Sequence, residues 1–264
     1  MRTKTYPNRI IRTLRRYRNL VAMVDNWPGF MARKLTGNQE PFVCRLRSGH
    51  VFKVEDELMF NFKDIFLHQA YWLDELVQGL PENPVVVDVG ANVGFFSLFV
   101  LSIRPGATVF SYEPSLRNFK SLSATAEACG NPKWKVRRQA VAGSTGPVEL
   151  VCPPGDSPSA WPSAFGERRE DSVIERVEGR SLADVFADSD VDSCDWLKID
   201  CEGAEYGIFK ESPPELFSKV RFISAEIDAL NGDQTKRMEL IRHIETLGYE
   251  VTLADDSVVF CSRK

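Results

Sequence analysis

Ionisable residues crowd two short stretches of this chain. Leu197-Lys-Ile-Asp-Cys-Glu-Gly-Ala-Glu205 carries Lys198, Asp200, Glu202 and Glu205, and Phe222-Ile-Ser-Ala-Glu-Ile-Asp228 carries Glu226 and Asp228. Both stretches read as apolar strands that end in charge. A carboxylate at such a place suits general-base work, taking the proton of a hydroxyl as that oxygen attacks an electrophile. Strand alternation puts Lys198 and Asp200 on one face, and likewise Glu226 and Asp228, so a polar pocket is expected there. Asp200, Glu226 and Asp228 would also suit an oxygen-only magnesium site that orients two acceptor oxygens, the less favoured alternative.

A second constellation lies upstream. Val85-Val-Val-Asp-Val-Gly-Ala-Asn-Val-Gly94-Phe-Phe-Ser97 reads as a buried strand, a glycine-bearing turn and a helix. At such a junction backbone N–H groups and a helix N-terminus point into a crevice where a ligand sits. Glu113 ends the next strand, Thr108-Val-Phe-Ser-Tyr-Glu113, where its carboxylate can accept hydrogen bonds from both hydroxyls of a ribose. The turn lacks the third glycine of a dinucleotide-binding fingerprint, which disfavours a nicotinamide oxidoreductase. Asp88, two residues before Gly90, suits a cationic ligand better than a pyrophosphate.

These groups need a sheet to hold them. From Val85 onward β-branched runs alternate with helical patterns. Strands are expected at Val85–Val89, Thr108–Tyr112, Trp134–Gln139, Val148–Cys152, Val173–Val177, Trp196–Ile199 and Phe222–Ile227. Helices are expected near 94–103, 115–129, 181–187 and 234–247. That alternation signals βαβ units: an α/β fold with a doubly wound, mostly parallel sheet. Tyr249–Leu253 and Ser257–Ser262, joined by a short link, predict an antiparallel hairpin on its edge. Trp134 and Trp196 read as core. Pro153 to Glu170 has no period and reads as a long loop, with Trp161 and Phe165 an expected acceptor wall.

Ahead of this body the chain differs in character. Residues 1–37 hold nine of the 33 Lys/Arg and one of the 37 acids, Asp25, so the rest carries about −12 against an overall −4. Ile10, Leu14, Tyr17, Val21 and Val24 predict the buried stripe of a basic amphipathic helix, docked on the acidic body or on a second copy. A homodimer is therefore one expectation, from a spacing too short to decide it. Pro41 to Val54 predicts two strands turned at Ser48-Gly49, and Asp64 to Leu80 a helix. We read 1–60 as a helix-and-hairpin extension and 61–264 as the main domain.

With 264 residues, 43% of them hydrophobic and 27% charged, the chain is neither disordered nor fibrous. Its longest apolar run, Phe95 to Ile103, is far short of the roughly 20 residues that cross a bilayer. Six scattered cysteines without a CxxC pair point to reduced thiols and a cytoplasmic location.

Asp88-x-Gly-x-Asn-x-Gly94, Tyr-Glu113-Pro and Leu197-Lys-Ile-Asp-Cys-Glu-Gly-Ala-Glu205 together resemble the FkbM family of S-adenosylmethionine-dependent O-methyltransferases, over about residues 85–250. The resemblance implies a class I methyltransferase fold of seven strands. It also implies S-adenosylmethionine as cofactor, with Asp88, Gly90, Asn92 and Gly94 around its methionine part, Glu113 on the ribose, and Gln139-Ala140-Val-Ala142 beside the adenine. Asp200 would stand at both cofactor and acceptor. The acceptor it implies is a sugar, polyketide or lipid hydroxyl, with no nucleic acid. Family members carry a histidine shortly after the acid of the fifth strand, where this chain has Glu226-Ile-Asp228, so the resemblance does not supply the base. The reading from another class is a non-catalytic Rossmann-like protein that binds through its basic N-terminal helix.

Overall fold

The structure is a computed structural model that describes residues 2–3, 9–71, 74–155, 171–229, 232–254 and 257–264. Two helices, α1 (Arg9–Met23) and α2 (Trp27–Thr36), precede a hairpin of β1 (Phe42–Arg45) and β2 (Val51–Val54). A 3-10 turn (Asp56–Leu58) leads into α3 (Met59–Phe62), which runs on as a π-helical stretch (Lys63–His68), and α4 (Asp74–Gly79) follows. The alternating part begins with β3 (Val85–Val89), α5 (Phe95–Ile103), β4 (Thr108–Tyr112), α6 (Leu116–Cys129) and β5 (Trp134–Arg137). Next come β6 (Ala140–Ala142), β7 (Gly146–Cys152), β8 (Val173–Ser181), α7 (Leu182–Asp188) and β9 (Cys194–Ile199). The chain closes with α8 (Glu205–Glu211), α9 (Pro214–Phe217), β10 (Val220–Glu226), α10 (Gln234–Thr246), β11 (Tyr249–Leu253) and β12 (Val258–Arg263).

Seven strands form the main sheet in the order β11-β12-β10-β9-β3-β4-β5, and the two-residue strand Arg2–Thr3 pairs beyond β11. The five strands from β10 to β5 are parallel, and β12 runs antiparallel between β10 and β11, as the hairpin expectation required. Because β3 and β9 are neighbours whose crossovers leave in opposite directions along the sheet, a crevice opens at their carboxyl ends. Alternate residues feed two cores. Val86, Val109, Trp196 and Phe260 face one side, Val87, Leu197, Ile223 and Val259 the other. The side bearing Val86 is closed by a phenylalanine cluster, Phe52, Phe62, Phe66, Phe95 and Phe99, so the hairpin and α3 share one core with the sheet. Trp134 and Trp196 are buried as expected, with their indole N–H groups donating to Ser111 and Ser224.

Four expectations are corrected. The runs at 148–152 and 173–177 do not join the parallel sheet. They pair antiparallel as β7 and β8 and, with β6, form a separate three-stranded sheet. Strand character was legible there; the partner, fixed by a turn and a long link, was not. The helix expected over 64–80 breaks after His68, because Gln69 adopts a left-handed φ of 57°. On α1 the buried residues are Asn19 and Leu20, packed on the π-helical stretch; of the expected stripe, Val24 is buried just past the helix end, while Leu14 and Val21 are 63% and 41% exposed. The buried Asn19 amide donates to the Leu67 carbonyl, so a polar residue takes a place that an apolar pattern assigns elsewhere. Finally α8 and α9 link β9 to β10 without having been expected, being too short for a 3.6-residue period to show. The expected wall residues Trp161 and Phe165 lie outside the described residues.

Candidate active site

Gly90 explains why β3 and β9 can meet at the crevice. Its φ is +73°, and a Cβ there would stand 1.6 Å from the Asp200 carbonyl oxygen, so a side chain cannot occupy this position while Asp200 stays in place. The close approach is tied by the Asp200 N–H, which donates to the Val89 carbonyl. Gly94 serves differently: at φ +88° it precedes α5, and a Cβ would press on Leu122 and Trp134.

Lys198 and Asp88 form the buried electrostatic centre. The Lys198 ammonium stands 3.3 Å from Asp88 Oδ1 and 3.3 Å from Asp200 Oδ2, and it donates to the Gly90 carbonyl at 2.6 Å. Burial alone would lower its pKa, but the two carboxylates outweigh that and hold it above the ordinary lysine value. The other oxygen of Asp88 ends a hydrogen-bond chain. The Trp134 indole donates to Ser111, Ser111 to Ser97, and Ser97 to Asp88 Oδ2 at 2.6 Å. An indole can only donate, so the chain has one direction and finishes on an accepting carboxylate.

A cavity of about 1470 Å³ runs along the carboxyl ends of β3, β4 and β9. One end is lined by Glu113, Pro114, Ala140 and Val141, the middle by Gly90, Asn92 and Phe96, and the other end by Tyr71, Asp200, Glu226 and Asp228. Asp88 and Gly94, expected among the cofactor contacts, do not line it: the first acts through Lys198, the second through packing. Glu205 is likewise turned to the protein, accepting from the N–H groups of Cys201 and Gly203 and so shaping the turn after β9. Glu202, at the left-handed φ of 53°, does face the cavity.

Glu113 is 5% exposed, with Oε2 accepting from the Asn92 N–H at 2.8 Å and Oε1 from the Ser115 N–H at 2.9 Å. Burial pushes it up to about 8, although these two donors pull the other way. Each oxygen keeps a second lone pair, and a buried acceptor pair beside the apolar Ala140 and Val141 fits the ribose and base of an adenosyl group.

At the far end sequence reasoning missed Tyr71. Its hydroxyl lies 2.8 Å from Asp200 Oδ2 and 2.9 Å from Glu226 Oε2, and Ser257 donates to Glu226 Oε1 at 3.2 Å. No spacing pointed to Tyr71, since the break at Gln69 is what turns it inward. Among the described residues no group of three or more His, Cys, Asp or Glu is arranged to hold a metal ion, and the phenol fills the place between Asp200 and Glu226.

Burial, and then the Asp200 charge, push Glu226 up to about 7; burial followed by Asp200 and Glu226 pushes Glu202 up to about 8. A carboxyl raised above its ordinary 4.5 keeps a proton that the unfolded chain releases, so stability falls as pH rises from about 4.5 to about 8. Glu226→Gln is expected to raise Tm relative to the parent at pH 8, with the difference gone by pH 5, as scanning calorimetry at both values will show.

The fold is the Rossmann-like fold of class I methyltransferases. Residues 88–251 match the family described as the methyltransferase FkbM domain, and the chain belongs to that family. It is similar to methyltransferase sdnD of Sordaria araneosa, 27% identical over 225 residues that cover 74% of this chain and 83% of the relative. It is also similar to the 31-O-demethyl-FK506 methyltransferase FkbM of Streptomyces tacrolimicus, 27% identical and covering 70% of this chain and 80% of the relative. Among solved structures, methyltransferase FkbM from Methylobacillus flagellatus KT aligns with a TM-score of 0.51 at 15% identity, over 78% of this chain and 54% of that one. The likeness is therefore one of fold, and this chain spans about half the length of that structure.

Proposed function

We propose that this methyltransferase-family chain uses S-adenosylmethionine to methylate a hydroxyl of a small or glycosylated metabolite. The observation that carries the reading is the single cavity joining Glu113 at one end to the Asp200 and Glu226 carboxylates at the other. Glu113 would hold the ribose hydroxyls, Ala140 and Val141 the adenine face, and Gly90 to Asn92 the amino-acid part. When bound, the cofactor supplies a methyl group made electrophilic by its sulfonium. Asp200 accepts the proton of the acceptor hydroxyl; Lys198, tied to Asp88 and the Gly90 carbonyl, fixes where that carboxylate stands. The name of the Streptomyces relative specifies an oxygen as its target, which supports a hydroxyl here. No described helix is long and apolar enough to cross a membrane, and the six unpaired cysteines support a reducing, cytoplasmic setting.

Isothermal titration with S-adenosylhomocysteine is expected to show binding with a Kd on the order of micromolar. Labelled methyl should then pass from S-adenosylmethionine to members of a panel of sugars, polyketides and hydroxylated lipids. A folded sample that binds neither cofactor form refutes the reading.

A further inference from the structure

The Tyr71 hydroxyl has one proton and two carboxylate neighbours, Asp200 Oδ2 at 2.8 Å and Glu226 Oε2 at 2.9 Å. That proton satisfies one contact. If both carboxyl groups were ionised, the second would set a carboxylate lone pair against a phenol lone pair in a part-buried site, where Lys198 at 3.3 Å neutralises one carboxylate but supplies no hydrogen to the phenol contact. The second contact therefore needs a proton of its own, carried by one of the two acids. Asp200 has a cation beside it, Lys198 at 3.3 Å, whereas Glu226 faces Asp200 and Asp228.

We propose that Tyr71 is a positioning residue for proton acceptance: its phenol joins the two acids in one chain, Glu226 carboxyl to Tyr71 hydroxyl to Asp200 carboxylate, which holds a single carboxyl proton and keeps Asp200 ionised. The proposal rests on the methyl-transfer reading above for its use, and on the proton count alone for its existence. In use, the acceptor O–H bond breaks and its proton passes to Asp200 as the oxygen forms its new bond to carbon, while the electron pair of the broken carbon–sulfur bond stays on sulfur. Both the Tyr71 and Lys198 contacts engage Oδ2 of Asp200, which leaves Oδ1 for the acceptor.

The surroundings hold the chain in this state. From β9 comes Lys198, whose ammonium also lies 5.4 Å from the centre of the Tyr71 ring; from β3 comes Asp88; and Glu202 and Glu205 follow β9. Asp228 follows β10, Ser257 donates to the other oxygen of Glu226, and Asp64 and His68, 3.0 Å apart, line the same cavity from the π-helical stretch. Ser224 donates to the Tyr71 carbonyl, so the backbone place of Tyr71 does not depend on its phenol.

The test is a carboxyl titration followed by ¹³C NMR, on full-length protein labelled at Asp and Glu side chains, without cofactor or acceptor. Besides Glu113 and Glu202, which also hold protons to near neutral pH, the parent is expected to show one further carboxyl proton retained there by the Asp200–Glu226 pair, and Glu226→Gln to remove that signal. Tyr71→Phe is expected to narrow the pH interval over which the pair holds one proton by about one unit or more. In Glu226→Gln an amide N–H replaces the donated proton and the chain survives, so the remaining step should not move. Adding Tyr71→Phe to that variant should move it, which separates a broken chain from general disturbance. An unchanged interval in Tyr71→Phe, or two carboxyls that ionise together in the parent, overturns the proposal. Failure to bind S-adenosylhomocysteine would instead sink the methyl-transfer reading and leave this titration result standing.

Discussion

Lys198→Met is expected to destabilise the fold by about 3–5 kcal/mol at pH 8, because it breaks a buried ion pair from one side only. Asp88 is fully buried, with the Lys198 ammonium against Oδ1 and Ser97 donating to Oδ2. Without the ammonium Asp88 must remain charged and uncompensated, or take a proton. Burial already holds Asp88 above its ordinary value against the pull of Lys198, and losing the ammonium raises it further, so the variant's native state binds more protons than the parent's and its stability falls more steeply with rising pH. The deficit should therefore be smaller at pH 5 than at pH 8, and urea denaturation at both values measures it. Asp88→Asn combined with Lys198→Met should recover a large part of the loss, since the charge that needed a partner is gone while the acceptor for Ser97 remains. A deficit independent of pH and unrelieved in the double variant would mean that Lys198 serves by packing alone.

That expectation also shows what the sequence could and could not tell. The strand-turn-helix at 85–97, Glu113 at the end of the next strand, and the charged ends of β9 and β10 were all readable, because strand alternation and glycine turns are local properties. Their assembly at one crevice followed from the parallel order. What local pattern hid was the division of labour among the residues so found. Asp88 looks like a cavity residue in sequence, yet it is fully buried and reaches the site only through Lys198, which lines the cavity. Gly90 and Gly94 look alike as turn glycines, but one permits contact with the Asp200 backbone and the other permits packing on Leu122 and Trp134. Tyr71 was invisible, because its position depends on a π-helical stretch and one left-handed residue, Gln69, which break the apolar period instead of following it. The buried face of α1 is a similar case, since it includes a side-chain-to-carbonyl hydrogen bond from Asn19 to Leu67 that an apolar pattern does not show. Where one polar contact between distant segments decides the geometry, periodicity carries no trace of it.

Glu113→Ala is expected to weaken S-adenosylhomocysteine binding by about 100-fold or more while leaving the far-ultraviolet circular dichroism unchanged. Two hydrogen bonds from ribose hydroxyls to a buried carboxylate are together worth roughly 3 kcal/mol or more, which is a factor of at least about 100 in Kd. The same substitution leaves the Asn92 N–H without its acceptor, which loosens the turn that would hold the amino-acid part of the ligand. Glu113→Gln should bind almost as poorly, since an amide nitrogen would face either the Asn92 or the Ser115 N–H, donor against donor. A second signature separates Glu113 from a merely structural acid. Burial holds its pKa at about 8 in the free protein, whereas ribose hydroxyls donate to the ionised form. Binding below pH 8 must then release a proton, so affinity should rise with pH by up to about tenfold per unit and level off above 8. Titrations in two buffers of different ionisation enthalpy read that proton directly. A parent protein that releases none, or a Glu113→Ala variant that still binds within a few-fold of it, would move the ribose elsewhere in the cavity. The released proton has a physical source in the site itself, because below about pH 8 an acid buried at 5% exposure keeps its proton against two backbone donors, and a further donor from the ribose tips it to the ionised form.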